Sequence, residues 1–259
     1  MANYISLTRI AQRCYGVAAN IVGPPFSVYR VNSTSSGDWI QPQNMIADNI
    51  RADRMPMKSG DTAFEGAKEL PNFWYEIMAN CNSFQVGDIF VLKNAPLNKG
   101  WVSTPYRTDE FTGFCLAENM PTRHPIGARL NTTVQLYTSS CLPTPSNYFD
   151  NTNPNRMPII LQNGRFTPLN AGQEAARIPV GVMPYRSFGN LYNQPTPDMP
   201  PVEKRLVYVP AIPGYQVVAS DEFIFQDGSR FSVDSNYHQT TGTSGGLYIC
   251  RKFVTGAGQ

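Results

Sequence analysis

Histidine is almost missing from this chain, and with it the group that most often moves protons at neutral pH. Only His124 and His238 occur in 259 residues. A Ser-His-Asp or Cys-His centre needs an imidazole held beside its nucleophile. These two histidines sit in separate segments, PTRHPIG and NYHQTTGT, that read as loops. Walker, GxGxxG and HExxH patterns are absent, and TTGTSGG (240–246) reads as a loop between strands rather than a phosphate cradle, since no Lys completes it and no helix follows. The five cysteines, Cys14, Cys81, Cys115, Cys141 and Cys250, form no CxxC or CxxH pair. They read as free thiols kept in a reducing compartment, and their spacing argues against zinc. Adjacent acids such as Asp109-Glu110 and Asp221-Glu222 read as solvated turn residues, because neighbours in a strand face opposite ways and do not form a carboxylate dyad. The expectation is a chain with no catalytic residue, no cofactor and no metal.

Charge is scarce as well. Charged residues make up 15% of the chain, against roughly 25% for an average soluble domain, which suggests a surface covered in part by other chains. The formal net charge is +2, and no basic run marks a dedicated nucleic-acid binder. No apolar run approaches the roughly 18 residues that span a bilayer, and the start, MANYISLTRI, lacks the pattern of a signal peptide. The expected place of synthesis is the cytoplasm, without membrane attachment.

Turn formers and aromatics are what the sequence does have. Pro 22 and Gly 20 speak for many turns, and short alternating segments between them speak for strands. Ile10, Cys14, Val17 and Ile21 fall on one face of a helix predicted over 6–20, which GPP at 23–25 ends. Strands are predicted at FSVYRV (26–31), FWYEIM (73–78), FQVGDIFVLK (84–93) and RLNTTVQLYTS (129–139), with a long polar loop from 32 to about 70. Residues 142–201 hold 11 of the 22 prolines. Beyond the first of these, IILQNGRF (159–166) and LVYVPAI (206–212) read as strands, Asn163-Gly164 as a hairpin turn, and DEFIFQDGSRFSV as a hairpin about Asp227-Gly228. FQVGDIFVL and VVASDEFIF echo one another, each placing a small residue and an Asp before an apolar strand.

The predicted architecture is mainly β: two small antiparallel β-domains, barrel or sandwich, with a short N-terminal helix and long loops. The first domain covers 1–141, a linker 142–155, and the second domain 156–259 with a Pro-rich extended arm at about 167–201. Candidate subunit contacts are the helix face (Ile10, Cys14, Val17, Ile21) and, in the arm, Pro179, Pro184, Tyr185, Tyr192, Pro195 and Pro197.

The segment AQRCYGVAANIVGPPFSVYR, the GD strand at Gly87-Asp88, the strand ending VQLYT, the LVYVPA strand and the closing unit of Asp221, Gly228, Arg230, Phe231, Val233 and LYICRK together resemble a family of tailed-bacteriophage neck, or head-to-tail connector (collar), proteins. The resemblance implies a structural virion protein assembled in the host cytoplasm. It implies a homo-oligomeric ring of about six or twelve copies between portal and tail, in contact with portal, neck or tail proteins. DNA would pass through such a ring without specific binding. Other virion roles (capsid decoration, tail tube, baseplate, fibre attachment) and a carbohydrate-binding β-sandwich are the alternatives.

Overall fold

The computed structural model describes residues 23–56, 73–79, 84–93, 113–118, 125–138, 157–168, 174–185, 203–239 and 245–252. The predicted helix over 6–20, with Ile10, Cys14, Val17 and Ile21, lies outside them. So do Tyr192, Pro195 and Pro197, and the linker at 142–155.

The fold is mainly β and antiparallel. The first sheet is built from β1 (Pro25–Tyr29), β2 (Met45–Arg51), β3 (Asp53–Pro56), β4 (Trp74–Met78), β5 (Ile89–Leu92), β6 (Gly113–Glu118) and β7 (Ile126–Leu130), in the order β2-β1-β5-β6-β7-β4-β3. The second contains β8 (Thr132–Thr138), β9 (Met157–Gln162), β10 (Arg165–Pro168), β11 (Arg177–Pro184), β12 (Lys204–Pro210), β13 (Glu222–Phe225), β14 (Arg230–Gln239) and β15 (Gly245–Lys252). Here β8 pairs with both β11 and β13, so β8-β11-β12-β15-β14-β13 closes into a six-stranded barrel, with the β9–β10 hairpin attached at the end of β8.

The first sheet follows the same circuit. Only Ala52 separates β2 from β3, so one bent strand pairs with β1 through its first part and with β4 through its last. Treated as one strand, it occupies the place of β11. The two units then match strand for strand in chain order: β1 with β8, β2–β3 with β11, β4 with β12, β5 with β13, β6 with β14, and β7 with β15. The match extends to register. Phe26 faces Leu92 and Ile50 as Val134 faces Phe225 and Ile178. Phe90 faces Phe114 as Phe223 faces Phe231. A register shift interrupts β6–β7 between Leu116 and Glu118, and β14–β15 at the equivalent step between Val233 and Ser235. Met55-Pro56 and Met183-Pro184 take the same places against their neighbours. The two units thus repeat one strand order and one register.

Period-2 alternation explains the cores. Phe26, Val28, Ile77, Phe90, Phe114 and Leu116 point inward in the first unit, where Phe26 meets Phe90 and Phe114 edge-on at 6.5 and 6.3 Å. Their equivalents, Val134, Leu136, Val207, Phe223, Phe231 and Val233, fill the second barrel. Both interiors are packed with side chains, and burial of this kind stabilises by about 25 cal/mol per Å² of apolar area.

Several expectations need correction. The polar stretch 32–70 is not one loop, since β2 and β3 lie within it. The Pro-rich segment is not a free arm throughout: 177–184 is β11, a wall of the barrel. Proline is tolerated there because of where each ring nitrogen faces. Arg177 N donates to Asp38 and its carbonyl accepts from Trp39 N, away from β8; Pro179, two residues on, shares that direction before β12 pairing starts at Gly181. The strand predicted over 129–139 splits at Asn131, so that β8 joins the second barrel rather than closing the first. His238 lies in β14, opposite Leu247, and not in a loop.

Candidate functional site: buried carboxylates and two unlike outer faces

The echo between FQVGDIFVL and VVASDEFIF is a repeated turn. Asp88 N donates to Gln85 O (3.0 Å) and Asp221 N to Val218 O (3.2 Å). Each Asp carboxylate accepts in return from the backbone N of the same partner, Gln85 at 2.7 Å and Val218 at 2.9 Å. The third residue of each turn has positive φ, +94° at Gly87 and +78° at Ser220. Its N–H donates to the neighbouring strand, Gly87 to Leu116 O and Ser220 to Val233 O. Each turn thus clamps the start of one strand to the middle of the next.

Asp221 and Glu222 are therefore not solvated turn acids. Their exposures are 0% and 1%, because the turn folds the carboxyl of Asp221 back under its own backbone. Oδ2 of Asp221 accepts from Tyr215 Oη at 2.8 Å as well as from Val218 N. Burial pushes the Asp221 carboxyl up, while bonds from Val218, Tyr215 and Thr138 pull it down and lose the contest. In the first unit the same position is an ion pair: Arg30 Nε and Nη2 donate to Asp88 at 2.7 and 2.6 Å. The bond to Asp88 raises the Arg30 guanidinium above its ordinary value, against a smaller desolvation effect. Arg30 and Thr138 follow directly after the equivalent residues Tyr29 and Tyr137, so the two units brace one turn with different chemistry.

What the arrangement does chemically is hold backbone. Cys115 and Cys250 are free and buried; burial pushes the Cys115 thiol up to about 12 and Cys250 higher still, which removes nucleophilic thiolate at neutral pH. Among the described residues no three metal-ligating side chains converge.

The outer faces are more informative. The first unit docks on the second through Phe73, Trp74, Cys115 and the β7 backbone. Phe73 and Trp74 meet Tyr208 at 5.4 and 5.8 Å, and Cys115 bonds to it. Gly181 is so close to β7 that an added Cβ would lie 2.3 Å from the Arg129 carbonyl. Asn131 locks the passage between units, donating through its side chain to Val182 O (3.0 Å) and accepting from Val182 N (2.8 Å). The loop 32–44 adds a second hold: Gly37 N donates to Leu161 O, and Trp39 packs on Phe166 at 5.4 Å.

The contact is unequal. The docking positions Trp74, Cys115, Ala117 and Ala128 are buried in the first unit. Their equivalents in the second are Lys204, Ser232, Asp234 and Arg251, where Lys204 and Asp234 are each 33% exposed and Arg251 52%. The receiving residues Gly181, Leu206 and Tyr208 correspond to Asp53, Glu76 and Met78. Of the residues singled out from sequence, Pro179 is a buried β11 residue opposite Thr133, and Pro184 ends β11 opposite Arg205. Tyr185 is half-buried, with Lys204 Nζ 5.9 Å from its ring centre. Pro179 shares the outer face of β11 with Gly181, two residues on; the sequence reading missed the remaining interface positions, for which the small residues Ala117 and Ala128 on paired strands were the available signal.

No protein-family profile, curated protein or solved structure matches the chain.

Proposed function

We propose that the chain is a structural protein of a tailed-bacteriophage virion, a subunit of the neck ring that joins the portal end of the head to the tail and surrounds the DNA channel. The observation that carries this reading is the heterologous contact between two barrels of one strand order. Contacts between unlike faces are the kind that repeat around an axis and generate rings. Two further features support it. Both barrel interiors are filled by their own side chains, which leaves the outer surface as the part offered to partners. The chain's near-neutral charge suits a wall past which DNA slides, because affinity for the phosphate backbone grows with each neutralised phosphate. The portal, other neck components and tail proteins are the expected neighbours. Cryo-electron microscopy of the particle neck is the test: the reading requires paired six-stranded barrels in a ring below the portal, and finding the chain on the capsid shell, in the tail, or outside the particle would overturn it.

A further inference from the structure

We infer that the charged outer face of the second barrel docks on the first barrel of a second copy of this chain, repeating between subunits the unequal contact made inside each one. The inference rests on the reading of the chain as a ring subunit and supplies the interface. Within the chain, the face of β4, β6 and β7 packs on the outer side of β11 and β12. Among the described residues, the equivalent face of β12, β14 and β15 on the second barrel is exposed. It carries Lys204, Arg230 and Arg251: Asp234 meets Lys204 and Arg251 at 3.2 and 3.3 Å, and Arg230 lies 3.8 Å from the buried Glu222. Cations outnumber exposed acids there. Among the described residues, the position on the first barrel equivalent to the receiving side presents Asp53, exposed, and Glu76, half-buried, with the exposed Arg51 at its edge.

The two faces are complementary in charge, and the internal contact gives their alignment. The backbone carbonyl of Arg129 meets Gly181 inside the chain; the equivalent residues are Lys252 and Asp53. Trp74 meets Tyr208 beside Leu206; Lys204 replaces Trp74, and Glu76 replaces Leu206. Repeating the contact therefore brings the β15 backbone at Lys252, with the Arg251 side chain beside it, over Asp53, and Lys204 beside Glu76. Copying it at the same separation is impossible, because Asp53 stands where only glycine fits inside the chain. The contact between copies is wider, bridged by long side chains, and salt-sensitive as exposed ion pairs are. Complementary potentials of this kind fix register and exclude wrong partners.

The test uses two full-length variants, Lys204→Glu with Arg251→Glu and Asp53→Lys with Glu76→Lys, whose altered residues lie at the surface. Each alone places like charges across the interface, so each should need a concentration at least about tenfold higher than the wild type for half-assembly. Mixed in equal amounts they restore opposite charges at every contact, and rings should return. Sizing with light scattering and native mass spectrometry read the result, with circular dichroism to show that both variants are folded. A wild-type chain that stays monomeric at about 100 µM, a variant that assembles alone like the wild type, or a mixture that fails to assemble would each overturn the inference. If the variants behave as expected while imaging finds the chain outside the neck, the interface stands and the virion reading falls; if the chain is in the neck but assembly ignores these charges, only the interface falls.

Discussion

Removing the carboxylate of Asp88 should cost the first barrel about 3 kcal/mol. The side chain is 1% exposed and accepts three short bonds, two from Arg30 and one from Gln85 N. Breaking a buried ion pair by deleting one partner typically costs about 3–5 kcal/mol. The Arg30 side chain keeps 29% of its exposure, so in Asp88→Ala it regains part of its hydration and the cost falls to the low end. For a chain of this size that corresponds to a melting temperature about 6–12 °C lower. Asp88→Asn retains an acceptor for Gln85 N and loses the charge, so about half the effect should remain. Urea titration followed by tryptophan fluorescence and by far-UV circular dichroism gives both values and shows whether the two barrels unfold together. An Asp88→Ala loss below about 1 kcal/mol, a value typical of an ordinary hydrogen bond, would refute the claim that the pair holds the turn, as would Asn doing as much damage as Ala.

Asp221 gives a pH signature. Its folded carboxyl titrates above the unfolded one, so this group adds stability as pH falls toward the unfolded value of about 3.9 and loses it as pH rises through the folded value. Urea titrations from pH 7 to 4.5 should show the wild type gaining on Asp221→Asn as pH falls; a constant or reversed difference would contradict the assignment. Ser220 sits at φ +78°, where a side chain is strained, so Ser220→Gly should stabilise by about 0.5–1 kcal/mol in thermal melts, and a loss would show that the hydroxyl matters more than the strain. Gly181→Ala should cost more than 3 kcal/mol, the range of severe overpacking, and separate the barrels; a mild effect on stability would show that β7 can retreat. Iodoacetamide should leave Cys115 and Cys250 unmodified until the chain unfolds, and mass spectrometry of native digests checks this directly.

Hairpins with strong turn chemistry were legible in the sequence. Asn163 and Gly164 adopt φ of +51° and +73°, as a two-residue turn demands. At Asp227-Gly228, only the glycine is left-handed, and the turn widens: Gly228 N donates to Phe225 O, and Phe225 N to Ser229 O. The echo around Asp88 and Asp221 was legible because a clamp of that geometry restricts residue types. The rest of the repeat was not, because equivalent core positions need only comparable bulk: Phe26 pairs with Val134, Leu116 with Val233. β2 escaped notice because its burial does not alternate, with Met45 and Ile46 both exposed. β11 was hidden by prolines whose tolerance depends on which edge is unpaired. The burial of Glu222 was unreadable for a related reason, since an acid before a strand is usually solvated.

The hold that the loop 32–44 takes on the second barrel also sets a timetable for synthesis. Asp38 closes onto Arg177 across 139 positions of chain. At about 5–20 residues per second of translation, Asp38 leaves the ribosome about 7–28 s before its partner exists. During that interval Trp39 has no Phe166 to cover it, and the first barrel lacks the surface that Phe73 and Trp74 come to rest on. The nascent first half must therefore carry an uncovered aromatic face until β11 and β12 emerge, and its vulnerability to aggregation is a matter of how fast the second half is made.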